Sequence, residues 1–126
     1  MMAAPHALAG RKILIVEDEA MVAVMIEDML EALGCVVVDV AGAVRAGLAV
    51  ADDEQIVLDG AVLDVNLGGG EKVFPVAMRL AARGVPFIFS TGYGAQGIET
   101  PFAQAPVLAK PYASAELEEA LTSVLS

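Results

Sequence analysis

Five short runs rich in β-branched and aliphatic residues alternate with segments of helical periodicity, and this alternation limits the fold more than any other feature. The runs occupy residues 12–16, 35–40, 61–63, 87–90 and 107–109. Between the first two, apolar residues recur at helical spacing at Val22, Ile26, Met29 and Leu33, and Gly34 ends the pattern. Repeated strand–helix–strand units with right-handed crossovers predict one parallel sheet covered by helices on both faces.

The other helical patterns cover residues 43–51, residues 73–83 and the C-terminal segment, where Ser114 is placed to cap the helix. Between the fourth and fifth strands, "GYGAQGIETPFAQAP" contains three glycines and two prolines, so a fourth helix there should be short or irregular. We therefore expect five strands and five helices. The 126 residues suffice for one domain, at residues 11–126, after a flexible leader at residues 1–10.

The charge balance excludes several classes of partner. The chain has 17 acidic and 7 basic residues and a formal net charge of -10, which repels nucleic acid and anionic membrane surfaces and favours cations. Its apolar stretches are interrupted before they reach the roughly 20 residues of a membrane span. The leader lacks the basic region of a secretory signal, and the single cysteine, Cys35, agrees with a reducing compartment. We expect a cytoplasmic protein that binds neither nucleic acid nor membrane.

Polar residues directly follow four of the five predicted strands. Glu17, Asp18 and Glu19 follow the first strand, Asp64 the third, Thr91 the fourth and Lys110 the fifth. Because ligands of a parallel sheet bind beyond the carboxyl ends of its strands, these side chains should share one site. Each of them alone would more often be a helix cap or a solvated surface group, so only the joint placement predicts a function.

The acids of this site need a positive partner. Two carboxylates about 4 Å apart repel by roughly 1 kcal/mol in water and about 4 kcal/mol at the effective dielectric of a protein surface. Oxygen ligands in an open site suit Mg²⁺, so Glu17, Asp18 and Asp64 are its candidate ligands. With Lys110 as a second cation and Thr91 as a hydroxyl donor, Asp64 is placed as the nucleophile for a phosphoryl group.

Four motifs carry a resemblance to a known family. They are "ILIVEDE", "AVLDVNL", "FIFSTGYG" and "LAKPY", each at the end of a predicted strand. In this order and at this spacing they resemble the receiver domains of response regulators in two-component signalling, over residues 11–125. The resemblance implies a flavodoxin-like, doubly wound α/β fold with a five-stranded parallel sheet of order 2-1-3-4-5.

Carried over residue by residue, the resemblance implies that Asp64 accepts a phosphoryl group from the histidine of a sensor kinase. Glu17, Asp18 and Asp64 would hold Mg²⁺ together with the backbone carbonyl of Asn66. Such a domain catalyses its own phosphorylation and dephosphorylation and is not a multiple-turnover enzyme.

The same resemblance implies that Thr91 and Lys110 contact the phosphoryl oxygens. Asn66 and Tyr93 would face the attacking water and tune how long the phosphorylated state lasts. The output would pass by protein contact or phosphoryl relay to a downstream protein target or a phosphotransfer protein.

The sequence departs from the family pattern at three positions. Glu17 stands where the family often has Asp, and Val107 stands where it commonly has an aromatic switch residue, so an aromatic relay is not expected. The run "PFIFSTGYG" resembles a subgroup of mostly alphaproteobacterial single-domain receivers with a Phe-Ala-Thr-Gly-Tyr-like motif, in which Ser90 here replaces the alanine. The resemblance to this subgroup implies a partner kinase of the HWE or a related group.

Two other functions are compatible with the same residues. A small Mg²⁺-dependent phosphohydrolase with Asp64 as nucleophile is the alternative, and turnover of small phosphoesters would favour it. An interaction module whose site no longer reacts is a third hypothesis. The stretch "GYGAQG" matches a dinucleotide-binding pattern but follows the fourth strand instead of the first, and "LGGGEK" lacks the spacing of a phosphate-binding loop. We expect the latter to form a flexible loop at the rim.

Overall fold

The computed structural model describes residues 7–92 and 97–125. Within them the chain forms seven strands, four α-helices and one 3₁₀ helix. The strands are β1 (Lys12–Val16), β2 (Val36–Ala41), β3 (Gly60–Asp64), β4 (Asn66–Leu67), β5 (Glu71–Lys72), β6 (Phe87–Thr91) and β7 (Val107–Ala109). The helices are α1 (Ala20–Ala32), α2 (Val44–Ala51), α3 (Phe74–Ala82) and α4 (Ser114–Leu125), and the 3₁₀ helix is Thr100–Phe102. None of the helices in this described part has the length and apolar character that a membrane span requires.

Five of the strands form one parallel sheet in the order β2-β1-β3-β6-β7. Because β4 and β5 pair only with each other, this order is the predicted 2-1-3-4-5 for the main strands, and the predicted flavodoxin-like fold is confirmed. The chain order reverses between β1 and β3, and in such sheets the ligand crevice lies at the carboxyl ends of the strands beside this point.

Side chains of the central strands alternate between two apolar layers. Leu14 and Val16 of β1 pack into the layer formed with α2 and α3, whereas Ile13 and Ile15 pack into the layer formed with α1 and α4. All five residues of β3 are buried. Because water is excluded from both faces of these strands, polar side chains find room only where the strands end.

The segment after β3 forms a hairpin and not the flexible loop that "LGGGEK" suggested. β4 pairs with β5 in antiparallel register, with Asn66 opposite Lys72. Gly69 and Gly70 adopt φ values of 73° and 80°, a conformation that costs glycine little and that tight hairpins require. Leu67 is only 2% exposed, so the hairpin is anchored to the apolar layer beneath it.

Residues 7–10, which the sequence assigned to a flexible leader, pack against the domain. Leu8 is 0% exposed and belongs to the layer formed with α1 and α4. The N–H of Gly10 donates to the carbonyl of Gly34 at 2.8 Å, and the N–H of Arg11 donates to the carbonyl of Leu8 at 3.1 Å. One isolated leucine produces no periodic pattern, which is why the sequence did not show this packing. The packed chain therefore starts before Arg11, and residues 1–6 lie outside the described residues.

The 3₁₀ helix Thr100–Phe102 lies where a short or irregular fourth helix was predicted. Phe102 is 7% exposed, and its ring stacks on that of Phe74 with centroids 5.6 Å apart. Burial of an aromatic side chain, and not helical periodicity, thus fixes this segment to the domain.

We predict that Leu8→Ala lowers the free energy of unfolding by about 2–5 kcal/mol, because it removes a fully buried side chain and leaves a cavity. Urea denaturation followed by circular dichroism measures the change. Met21→Ala is the control, since Met21 is 81% exposed and its truncation should change stability by less than about 0.5 kcal/mol. A Leu8→Ala variant as stable as this control would show that residues 7–10 do not pack on the domain in solution.

Candidate functional site

Four strands end at one edge of the sheet and place polar side chains there. Glu17 and Asp18 directly follow β1, and Asp64 is the last residue of β3. Thr91 is the last residue of β6, and Lys110 directly follows β7. The backbone N–H of Lys110 donates to the carbonyl of Thr91 at 2.9 Å, so the ends of β6 and β7 lie side by side. The parallel register therefore brings together residues that lie far apart in the sequence.

An open cavity of about 520 Å³ lies at this edge. Its walls include four of the residues predicted from sequence, namely Asp18, Asp64, Asn66 and Lys110. The hairpin closes another side, because residues 66–72 all line the cavity. The cavity is thus open to solvent and to a partner, with acidic and basic groups in its walls.

Three carboxylates cluster at this edge of the sheet, and those of Asp18 and Asp64 line the cavity. One oxygen from each of Glu17, Asp18 and Asp64 lies within 4.8 Å of the other two. Glu17 is 2% exposed and Asp64 is 5% exposed, whereas Asp18 is exposed. At such separations each ionised pair repels by about 3–4 kcal/mol at an effective dielectric of 20. The cluster therefore needs positive charge beside it.

Lys110 supplies part of this charge. Its Nζ atom lies 2.8 Å from Oε1 of Glu17 and 3.4 Å from Oδ1 of Asp64. Burial acts to lower the pKa of Lys110, but the hydrogen bond to Glu17 and the negative charges of Asp64 and Glu17 outweigh it and raise the pKa above its ordinary value. Lys110 is therefore a permanent cation at neutral pH. One ammonium does not balance three carboxylates, so the cluster still favours a further cation.

The environment of Asp64 favours its protonated form. Burial, then the hydrogen bond with Glu17 and the negative charge of Glu17, raise the pKa of Asp64 from 3.8 to about 7, although Lys110 acts in the opposite direction. Near neutral pH and without a bound cation, Asp64 is thus ionised in only part of the molecules.

The donor set fits a magnesium ion. All three groups are carboxylates, and the open cavity leaves room for the water ligands that Mg²⁺ retains. Glu17, Asp18 and Asp64 are therefore the residues that would hold the ion. A divalent cation bound there would offset the negative charge that Lys110 leaves unbalanced.

The other predicted residues lie at different depths. Thr91 is 1% exposed and lies under the rim, and Asn66 begins β4 and lines the cavity. Glu17 lies behind Lys110, and its second oxygen, Oε2, accepts the N–H of Glu19 at 3.2 Å. Tyr93, which was predicted to tune the site, lies outside the described residues.

Sequence reasoning missed the contribution of the hairpin to this site. The N–H of Gly68 donates to Oδ2 of Asp18 at 3.1 Å, and Nζ of Lys72 donates to Oδ1 of Asn66. The three consecutive glycines between Leu67 and Glu71 are the signal that could have indicated a hairpin, because such turns need residues with positive φ, which Gly69 and Gly70 adopt.

Ser90, which directly precedes Thr91, forms a hydrogen bond with Tyr112. The two hydroxyl oxygens lie 3.2 Å apart. Ser90 is 0% exposed, so its polar atom needs such a partner. Burial raises the pKa of Tyr112, which keeps its phenol protonated and able to donate.

Comparison with solved structures decides the family. The chain is similar to SdrG from Sphingomonas melonis Fr1, with 44% sequence identity, a TM-score of 0.80 and coverage of 95% of this chain and 98% of that chain. The BeF3-activated conformation of SdrG from Pseudomonas melonis Fr1 gives 44% identity, a TM-score of 0.77 and coverage of 94% and 98%. The REC domain of the PhyR response regulator from Erythrobacter litoralis shares the fold at 20% identity, with a TM-score of 0.80 and coverage of 94% and 92%. The chain belongs to the receiver-domain family of response regulators.

Neither the protein-family models nor the curated proteins that were compared match this receiver domain. Its assignment therefore rests on likeness to solved structures over nearly the whole chain. The four motifs at the strand ends agree with that likeness independently.

We predict that Asp64→Asn raises the free energy of unfolding of the metal-free receiver domain at pH 8. A raised pKa means that folded Asp64 holds a proton more tightly than the unfolded chain does, so the wild type loses stability as the pH rises from about 4 to about 7. Asparagine removes that penalty, which is at most about 4 kcal/mol at 1.4 kcal/mol per pKa unit.

Urea unfolding in EDTA at pH 8 and pH 4 measures the effect, and the gain should nearly vanish at pH 4. Asp28→Asn, on the exposed face of α1, makes the same charge change away from the site and should give no such pH-dependent gain. An equal gain for Asp64→Asn at both pH values would contradict the raised pKa.

Proposed function

We propose that this receiver domain accepts a phosphoryl group from a sensor histidine kinase on Asp64, with Mg²⁺ as cofactor, and signals by protein contact or phosphoryl relay. The position of Asp64 carries the proposal: its carboxylate lines an open cavity, lies 3.4 Å from Nζ of Lys110 and clusters with Glu17 and Asp18. A nucleophilic carboxylate, an ammonium group and a cation site in one cavity are the groups that phosphoryl transfer to oxygen needs.

Asp64 acts as the nucleophile. One carboxylate oxygen attacks the phosphorus of the kinase phosphohistidine, the P–N bond breaks, and its electron pair stays on the imidazole. The attacking form is the ionised carboxylate, which the raised pKa of Asp64 makes scarcer in the cation-free site. When bound, Mg²⁺ supplies positive charge that favours the ionised carboxylate and offsets the charge of the phosphoryl oxygens.

The residues around Asp64 would bind the metal ion. Glu17 and Asp18, with Asp64 and the backbone carbonyl of Asn66, would hold the metal ion. The contact between Glu17 and Lys110, together with the longer side chain of Glu17, supports a role for Glu17 at the metal through a water molecule.

Lys110 and Thr91 would bind the phosphoryl oxygens. Lys110 already lies within a salt-bridge distance of Asp64, so a phosphoryl group on Asp64 comes within reach of its ammonium. Thr91 lies at the end of β6, beside the strand that carries Asp64. We propose that its hydroxyl donates to another phosphoryl oxygen.

The phosphorylated state ends by hydrolysis at the same site. Water attacks the phosphorus, the bond between phosphorus and the Asp64 oxygen breaks, and the electron pair returns to the carboxylate. Asn66 and Tyr93 would control access of this water. The domain thus carries out single phosphorylation and dephosphorylation events on itself and is not a multiple-turnover enzyme.

The finer assignment concerns partners. We propose membership of the subgroup with the Phe-Ala-Thr-Gly-Tyr-like motif, and hence a kinase of the HWE or a related group, on the strength of "FIFSTGYG" and the 44% identity with SdrG. The net charge of -10 supports protein partners and not nucleic acid or anionic membranes. A downstream protein target or a phosphotransfer protein would receive the signal, in the cytoplasm, where a kinase has access to ATP.

We predict that acetyl phosphate with Mg²⁺ adds one phosphoryl group to the wild type and none to Asp64→Asn, because the amide is not a nucleophile. Intact mass spectrometry measures the modification. Replacing Mg²⁺ with EDTA should slow labelling by at least about tenfold, since the acidic cluster then repels the anionic donor.

Asp28→Asn is the matched control and should be labelled as the wild type is. Labelling that persists in Asp64→Asn would remove Asp64 as the acceptor. Sustained turnover of p-nitrophenyl phosphate would instead favour the phosphohydrolase alternative.

A further inference from the structure

The hairpin of β4 and β5 is a structural wall of the cavity and not a loose rim. The N–H of Gly68 donates to Oδ2 of Asp18 at 3.1 Å, and the N–H of Val44 donates to Oε1 of Glu71 at 3.3 Å. One attachment joins the hairpin to the acidic cluster, and the other joins it to the start of α2. The side chains of the hairpin are therefore presented to the cavity from a fixed base.

Lys72 stands directly opposite Asn66 in this hairpin. The two residues are paired across the antiparallel strands, so their side chains leave the same face of the ribbon. Nζ of Lys72 donates a hydrogen bond to Oδ1 of Asn66, and both residues line the cavity that contains Asp64. Sequence reasoning assigned no role to Lys72.

The two lysines that line the cavity have different partners. Nζ of Lys110 contacts Glu17 and Asp64, whereas Nζ of Lys72 contacts the side chain of Asn66. An ammonium group can only donate hydrogen bonds, so Asn66 must turn its amide oxygen to Lys72. The amide nitrogen of Asn66, with its two N–H donors, then remains available to donate to a group in the cavity.

We propose that Lys72 is a positioning residue that prolongs the phosphorylated state by fixing the orientation of the Asn66 amide. This inference rests on the proposed function of Asp64. With its oxygen held by Lys72, Asn66 presents donors that suit the anionic oxygens of a phosphoryl group on Asp64. The attacking water needs an acceptor for its proton, and the held amide does not offer its oxygen for that purpose.

Hydrolysis of the phosphoryl group is the step that Lys72 slows. The water oxygen forms a bond to phosphorus, the bond from phosphorus to the Asp64 oxygen breaks, and the water protons leave to solvent or phosphate. Without Lys72 the Asn66 amide rotates freely, so its oxygen becomes available to orient the water. Loss of Lys72 should therefore speed hydrolysis.

The test is the decay of the phosphorylated domain after removal of acetyl phosphate, followed by intact mass in Mg²⁺ buffer. Lys72→Met, which keeps the length of the side chain and removes its charge, should decay about 2–10-fold faster than the wild type, as expected for loss of one hydrogen bond. Lys72→Arg keeps a donor and should restore most of the lifetime. Lys12→Met is the matched control, because Lys12 is exposed at the start of β1, at the opposite edge of the sheet.

A double-mutant cycle separates positioning from a general effect of charge. If Lys72 acts through Asn66, Lys72→Met should have no further effect in an Asn66→Ala background. The side-chain NH₂ signals of Asn66 in a ¹⁵N-edited NMR spectrum of the unphosphorylated domain give a second reading, which should shift in Lys72→Met and not in Lys12→Met.

Unchanged decay in Lys72→Met, or the same acceleration with Asn66→Ala present, would overturn the inference. Unshifted Asn66 signals in Lys72→Met would overturn it as well, whatever happens to the phosphoryl group. Failure of the wild type to be labelled on Asp64 would instead refute the proposed function, which the labelling step reveals before any variant is compared.

Discussion

The parallel direction of the main strands is the constraint on which the site depends. Because all five strands end at the same edge, the residues after β1, β3, β6 and β7 meet there although the sequence separates them widely. The apolar layers on both faces fix the strands, and they confine polar side chains to the strand ends. Asp64 lies at the boundary between the apolar core and the cavity: four buried residues of β3 precede it, and its own side chain lines the cavity.

The arrangement that makes the site reactive also lowers the stability of the fold. Three carboxylates held within 4.8 Å of one another, two of them buried, repel one another, and the single ammonium of Lys110 relieves that repulsion only in part. The remaining imbalance favours a bound cation, as the proposed function requires. Burial is the largest cause of the raised pKa of Asp64, and the hydrogen bond and negative charge of Glu17 add to it.

The sequence was informative where one residue type determines the local structure. Continuous apolar runs predicted β1 and β7 to the residue, and the polar residues after the runs predicted the edge at which the site lies. The hairpin was missed because strands of two residues have no periodicity, so the contact between Lys72 and Asn66 follows only from the observed register. Packing of Leu8 was missed for a related reason, since a single buried side chain leaves no pattern. The position of Glu17 behind Lys110 depends on side-chain length and partners, which strand prediction does not address.

We propose that these strand ends form one site in which Asp64 accepts a phosphoryl group beside a divalent cation. A crystal structure of the domain with Mg²⁺ and beryllofluoride tests it most directly. We expect beryllium bonded to a carboxylate oxygen of Asp64, a fluorine about 3 Å from Nζ of Lys110 and the metal ion against Asp18. Beryllofluoride on a different carboxylate, or a metal ion bound away from Asp64, would contradict it.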